Sequence, residues 1–302
     1  MNLSIVIPAF NEEAVIEETL ASIKMSLQDI SHEVIVVDNG STDRTSQIAE
    51  SLGCQVLVVP GVLIGELRNI GAQKASGDIL LFNDADVLLT PEWRQAFLKL
   101  KDEIEAQNLI VGGSLQVSDP ENMLHKYWFQ PLLNKKEGEC NYVGTGNMLV
   151  SRRLFDQVGG FSRDLRTGED YDFCLKARNS CRATVRYVSN LSAIHLGYPE
   201  DVGSFFRREQ WHGKGDVQTL AALLKSKVAI FSFSIAMLVV FSILFIALTK
   251  WWMAFLFVSI AAALVVFMSF YKARVVGGIE GRCYHIFLTF MYCIARATSK
   301  FR

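Results

Sequence analysis

No C-x-x-C pair, no G-x-G-x-x-G after the first apolar run and no G-x-x-x-x-G-K-[ST] loop occurs in this chain. The first absence argues against a zinc ribbon or dithiol redox centre, the second against a dinucleotide-binding turn, the third against a P-loop nucleotidase. The cysteines Cys54, Cys140, Cys174, Cys181, Cys283 and Cys293 are scattered, as expected of reduced, packed thiols in a chain facing the cytosol. Net charge is lacking too: 30 Lys and Arg stand against 31 Asp and Glu, which removes any global electrostatic case for a nucleic-acid partner. Met1 and Asn2 lead directly into a strand pattern without a charged and then apolar leader, so no signal peptide is expected.

What the chain has in excess is apolar surface, 50% hydrophobic residues, and the surplus is concentrated after Lys227. Val228 to Leu248 and Trp251 to Tyr271 are each 21 residues without a formal charge, long enough to cross the ~30 Å hydrocarbon core as helices. Neither has the polar face that a buried helix of a water-soluble core would show. Lys225 and Lys227 precede the pair, Lys272 and Arg274 follow it, and only Lys250 lies between. The positive-inside rule therefore expects both flanks in the cytosol, in a multi-pass protein of the cell (inner or plasma) membrane. An apolar stretch at about 283–295 is too short to span and has basic neighbours, so an interfacial helix is expected there. Two regions follow: a cytosolic domain over 1–222 and a membrane region over 223–302.

In the first region short apolar runs alternate with helical patterns. Leu3 to Pro8 reads as a central strand stopped by proline, and Asn11 is expected to cap the next helix, with Glu12 and Glu13 in its first turn. Glu33 to Asp38 and Gln55 to Val59 are further strands. A helix is expected from about Gly65 to Ala75, a buried strand over Ile79 to Phe82, and another helix from Pro91. Leu109 to Val117 adds a fifth strand. Such alternation predicts an α/β fold with a mostly parallel sheet flanked by helices.

The chemistry gathers at the strand ends. Asp84 and Asp86, one residue apart, follow the Ile79 strand, and Asp38 ends the second. Open α/β sheets bind ligands at that rim. Carboxylates crowded there repel unless a cation or hydrogen-bond donors compensate, which points to a nucleotide diphosphate held through a divalent ion, Mg²⁺ or Mn²⁺. The alternative for each is turn chemistry, an Asp accepting nearby backbone N–H groups. His195 ends a further strand pattern and is either a metal ligand or a packed core imidazole. Arg207, Arg208, His212 and Lys214 surround Gly213 and Gly215, glycines expected to let the backbone approach phosphate; the alternative partner for these bases is a lipid headgroup.

Taken in order, Ser4-Ile5-Val6-Ile7-Pro8-Ala9-Phe10-Asn11-Glu12, Val36-Val37-Asp38-Asn39-Gly40-Ser41-Thr42-Asp43, Arg68-Asn69-Ile70-Gly71, Gly77-Asp78, Asp84-Ala85-Asp86, Gly159-Gly160-Phe161 and Gly168-Glu169-Asp170-Tyr171-Asp172 resemble the signature of family-two glycosyltransferases with the GT-A fold. The resemblance covers about residues 3 to 215. It implies a nucleotide-sugar donor, most often UDP-linked, touched by Pro8, Asn11, Glu12, Asp38 on the nucleobase, Arg68 and, on the ribose, Asp84. It gives Asp86 to the metal, beside which His195 stays the further ligand candidate read above, and Asp170 the role of base toward the acceptor hydroxyl, with Glu169 and then Asp172 as fallbacks. Arg68 as a surface ion pair, and Glu169 and Asp170 as helix caps, are the competing readings. Arg207 to Gly215 resembles the family's gating segment but lacks the Q-x-x-R-W form of processive synthases, since Gln210 directly precedes Trp211. With the expected spans, the resemblance implies an inverting, metal-dependent transferase acting on a lipid or lipid-linked acceptor at the membrane. Two rivals remain: a polyprenyl-phosphate glycosyltransferase, and a non-catalytic nucleotide-sugar-binding subunit of an envelope assembly complex.

Overall fold

The computed structural model describes residues 2–217, 220–272 and 278–299. The chain divides into two compact units, one of Met1–Ser118 with Lys135–Gly197 and one of Asp119–Asn134 with Tyr198–Arg302.

The first unit is built on a nine-stranded sheet. Its strands are β1 (Leu3–Ala9), β2 (His32–Asp38), β3 (Gln55–Val58), β4 (Ile79–Asn83), β5 (Val87–Leu89), β6 (Leu109–Val117), β7 (Gly138–Glu139), β8 (Asn147–Ser151) and β9 (Thr184–His195). They run in the order β3-β2-β1-β4-β8-β6-β9-β5, with β7 paired to β9. The half β3-β2-β1-β4 is parallel, as the alternation predicts. The other half is mixed: β8 runs antiparallel between β4 and β6, and β5 antiparallel to β9. The Leu109 strand therefore does not extend the parallel run directly, because β8, late in sequence, takes the place beside β4.

Helices cover both faces, so alternate residues of one strand enter different cores. Ile5, Ile7 and Leu81 pack with Ile16, Leu20, Ile23, Trp93 and Phe97, while Val6, Leu80 and Phe82 pack with Leu67, Phe155, Phe161 and Phe173. That two-sided burial is why β1, β4 and β8 are apolar without alternation.

Two local expectations are corrected. Pro8 does not stop β1; it lies inside it, paired with Val37, and Ala9 follows. Ala9 turns its carbonyl toward β2, accepting the Asn39 N–H, so its neighbour Pro8 turns toward β4, where the ladder has already ended at Val6, and its missing N–H costs no ladder bond. Asn11 caps no helix, since the first helix is Ile16–Ser26 with Val15 at its N-cap. Asn11 sits instead in left-handed backbone, φ 57°, and its side-chain oxygen accepts from the Thr42 N–H at 2.9 Å. Ser41 Oγ accepts the Asn11 N–H, Thr45 Oγ1 the Glu12 N–H and Asp43 the Glu13 N–H. The loops after β1 and β2 are thus latched to each other.

The second unit is helical. Its helix Val202–Asp216 is capped by Asp201, whose carboxylate accepts the Ser204 N–H at 2.9 Å. Lys227–Ala247 and Trp251–Lys272 are long and apolar enough to cross a membrane, with mean hydropathy 2.7 and 2.5. Their bounds lie within a residue of the apolar segments 228–248 and 251–271 read from the sequence. Thr249 at φ 57° makes the tight turn between them without glycine, and Lys250 donates its N–H to the Phe245 carbonyl at 2.8 Å. Large apolar side chains such as Ile243, Phe255 and Phe267 stand exposed along both helices, a surface suited to hydrocarbon and not to water. The expected helix at 283–295 is longer, Gly278–Thr298.

Candidate active site

The first unit brings the predicted carboxylates to one rim of the sheet. Asp84 and Asp86 leave the end of β4, and β5 turns back at once to pair with the end of β9, opposing Val87 to His195. His195 Nδ1 lies 3.7 Å from an Asp86 carboxylate oxygen. Asp84, Asp86 and His195 each offer one ligand atom, all within 4.8 Å of one another. Two carboxylate oxygens and an imidazole nitrogen fit a divalent ion of the Mg²⁺ or Mn²⁺ class. Asp84, expected toward the ribose alone, is thus also placed as a third donor.

Gly197 is part of this cradle, because a Cβ there would lie 2.0 Å from Asp86 Oδ2. Any side chain must displace the carboxylate. Gly197→Ala is expected to weaken Mn²⁺ affinity about 10- to 100-fold, the range for residues that orient metal ligands. Titration calorimetry reads this directly, and an unchanged affinity would remove Gly197 from the site.

Glu12 faces the same pair. Burial, and then the charges of Asp86, Asp84 and Asp43, push its carboxyl up to about 7. Asp38 is buried at the end of β2, with one oxygen accepting the Ser41 N–H at 2.7 Å and the other the Ser46 hydroxyl. Each oxygen still has a second lone pair for a ligand N–H. Phe10, between Ala9 and the Asn11 latch, exposes 54% of its surface beside this rim; its position after β1, more than its residue type, marks it.

Arg68 is no surface ion pair. Its side chain is 2% exposed, and its two terminal nitrogens reach Asp84 and Glu169, each at 2.7 Å. One guanidinium therefore joins the Asp84-Asp86 pair to the Glu169-Asp170 pair. The rest of its motif is structural: Asn69 exchanges hydrogen bonds with the backbone of Phe161, and Gly71 lies against Val6, where a Cβ would come within 2.3 Å.

Glu169 to Cys181 form a helix entered through Gly168, whose φ of 81° suits glycine. Glu169 is buried on Arg68, which leaves its carboxylate little freedom as a base. Asp172 is spent on Lys176 at 2.8 Å and on the Ser162 hydroxyl. Asp170, part-buried, is the remaining carboxylate of the three. Its Oδ1 accepts the Tyr171 N–H at 2.7 Å, and Oδ2 faces Gly144, 3.8 Å from where a Cβ would stand. Burial, with the Glu169 charge second, raises the Asp170 carboxyl above the ordinary aspartate value.

Arg207, Arg208, His212 and Lys214 lie on the helix Val202–Asp216 of the second unit. Gly213 and Gly215 do not loosen the backbone as expected: they are helical, and Gly213 admits Ser299, which a Cβ would meet at 2.7 Å. Arg207 donates to Ser204 Oγ at 2.9 Å. Arg208 bonds Glu209 and lies over the rings of Phe129 and Tyr198. Glu209, buried, also receives Arg296 at 2.8 Å, and Arg296 reaches Asp216 at 2.9 Å. Burial and then Arg208 push His212 down to about 4, so it is a neutral imidazole at pH 7.

Comparison with known proteins shows the family and the fold. Residues 4–159 match the family described as Glycosyl transferase family 2, and residues 133–295 match Glycosyl transferase family group 2. An uncharacterized glycosyltransferase of Haemophilus influenzae is 30% identical over 183 residues, 58% of this chain and 61% of that protein's length. Glycosyltransferase AglE of Haloferax volcanii is 25% identical over 227 residues, 72% of this chain and 73% of that one. Among solved structures, mannosyltransferase PcManGT from Pyrobaculum calidifontis, in complex with GDP-Man and Mn²⁺, is similar in fold, with a TM-score of 0.58 at 18% identity over 99% of this chain and 86% of that one.

Proposed function

Since this chain belongs to glycosyl transferase family 2, we propose that it transfers a sugar from a nucleotide-diphosphate sugar, UDP-linked, to a hydroxyl of a lipid or lipid-linked acceptor at the cytosolic face of the membrane, with inversion at the anomeric carbon. The observation that carries the reading is the Arg68 bridge, which ties the donor-side Asp84 to Glu169, the neighbour of the acceptor-side Asp170, through two 2.7 Å ion pairs. In this reading the bridge supports a donor carboxylate site and an acceptor base acting together.

In this reading Asp38 accepts from the nucleobase and Phe10 offers it an aromatic face. Asp84, Asp86 and His195 hold Mg²⁺ or Mn²⁺, which would supply charge neutralisation for the leaving diphosphate. Asp170 takes the acceptor proton as its oxygen attacks C1, and the bond to the diphosphate breaks on the opposite face. One displacement gives inversion. The two apolar helices support an acceptor presented at a membrane.

The test is a panel of UDP-, GDP- and dTDP-sugars with detergent-solubilised protein and membrane lipid extract. At least one donor is expected to release its nucleoside diphosphate and label a lipid. EDTA should stop the reaction and Mn²⁺ or Mg²⁺ restore it. Glycosylation of freely soluble acceptors alone, never of lipid, would overturn the acceptor reading, and EDTA-insensitive turnover the metal reading.

A further inference from the structure

The loop Cys140–Gly146 carries a feature that the donor chemistry does not use. It leaves the short strand β7 with the Cys140 N–H bonded to the Val185 carbonyl at 2.9 Å, and it is pinned again where Arg178 donates to Asn141 Oδ1 at 3.0 Å. Between the pins and β8 it passes Asp170 at Gly144 and Asp84 at Gly146, where a Cβ would stand 3.8 Å and 3.0 Å from the respective carboxylates. Glycine at both positions lets the backbone run beside both motifs.

On the outer side of that passage stand two tyrosines. Tyr142 comes from the loop and Tyr171 from the helix turn next to Asp170. They remain 41% and 50% exposed although they touch each other, ring centroids 5.5 Å apart and planes at 74°. Lys135 lies 5.2 Å from the Tyr142 ring centre, and the Tyr171 N–H donates to Asp170 Oδ1. Burial, and then the Asp170 charge, raises the Tyr142 hydroxyl, which places that oxygen in the field of the carboxylate.

Two exposed rings at a steep angle beside a base make a corner. A pyranose fits it well, since one face of the sugar is a plate of C–H bonds with slight positive charge and an aromatic face is negative. A bare phosphate gains no such contact and would also meet the Asp170 carboxylate. Resting on the glycosyltransferase reading above, we propose that Tyr142 and Tyr171 form the acceptor subsite and that the acceptor presents a sugar ring there, so the chain extends an existing glycan or glycolipid rather than charging a polyprenyl phosphate. Tyr171 supplies the stacking face, and Tyr142, backed by Lys135, the second wall. The acceptor hydroxyl then lies toward Oδ2 of Asp170.

The experiment uses the detergent-solubilised full chain, the donor that the panel identifies, and two kinds of probe: octyl β-glycosides of glucose, galactose, mannose and N-acetylglucosamine, and a polyprenyl phosphate carrying no sugar. At least one octyl glycoside is expected to be glycosylated faster than the polyprenyl phosphate. Tyr171→Ala should raise KM for that glycoside about tenfold, the equivalent of ~1.4 kcal/mol, with a smaller change in kcat and in the donor KM. Tyr171→Phe should restore the acceptor KM, because the ring and not the hydroxyl does the binding. Preference for the bare polyprenyl phosphate would overturn the proposal, as would an acceptor KM in Tyr171→Ala within twofold of the wild type. Donor hydrolysis without acceptor separates the two levels of inference. Wild-type protein that hydrolyses a nucleotide sugar yet ignores every glycoside defeats the subsite alone, whereas wild-type protein inert toward every donor defeats the glycosyltransferase reading and the subsite with it.

Discussion

Asp170→Asn is expected to lower turnover about 10²- to 10⁴-fold, the usual contribution of a general base. The substitution keeps the shape, and an amide oxygen still accepts the Tyr171 N–H that Asp170 Oδ1 accepts at 2.7 Å. What is lost is the ability to take a proton. Donor KM and thermal stability should therefore change little, and the defect should sit in kcat. The same carboxyl sets the acid side of the pH profile. Burial and the neighbouring Glu169 raise its pKa, and only its deprotonated form acts as base, so activity should fall with decreasing pH at a higher pH than an ordinary aspartate would give. Initial rates across pH at saturating donor check the sign. Near-normal turnover in Asp170→Asn would instead favour an acceptor that is already an anion, such as a polyprenyl phosphate, which needs no base.

Arg68→Met should destabilise the first unit by about 3–5 kcal/mol, the cost of removing one partner from a buried ion pair. The guanidinium is 2% exposed and answers two carboxylates, of which Glu169 is 10% exposed, so methionine of similar length leaves that carboxylate without its cation. Arg68→Lys should recover part of the loss, since one ammonium lacks the fork that reaches Asp84 and Glu169 together. Combining Arg68→Met with Glu169→Gln should cost less than the sum of the two, because the stranded charge is gone. Urea unfolding followed by circular dichroism measures all three. If Arg68→Met unfolded at the wild-type midpoint, the bridge would contribute nothing to the fold.

Asp170 and Arg68 differ in how far their surroundings are local in sequence. The strand endings pointed to Asp38, Asp84, Asp86 and His195, because short loops after strands keep such residues near the strand ends, and the structure brings Asp84, Asp86 and His195 together; Asp170, in the first turn of a helix, was marked by its motif alone. Arg68 stood in a motif, yet its partners are 16 and 101 residues away, and a sequence cannot show which carboxylates a helix will turn it toward. Asn11 followed the cap rule in composition but not in fact: its hydrogen bonds go across to the loop after β2, whose distance from β1 is set by the sheet. Gly213 and Gly215 looked like a phosphate loop and are helical, and Gly213 lies against Ser299 where a Cβ would not fit. Tyr171 stood inside the Gly168 to Asp172 motif with no role assigned to it, and Tyr142 carried no signal apart from lying near Gly144.

By itself the sequence determined the parallel half of the sheet, the two apolar helices and the residue types at the strand ends, because each depends on periodicity, run length or a local turn. Tertiary structure alone decided that β8 enters between β4 and β6, that β5 folds back to bring His195 to Asp86, that Arg68 spans both carboxylate pairs, and that two tyrosines from separate segments meet beside Asp170. Those are contacts between residues far apart in the chain, and the packing of the sheet and its helices selects them.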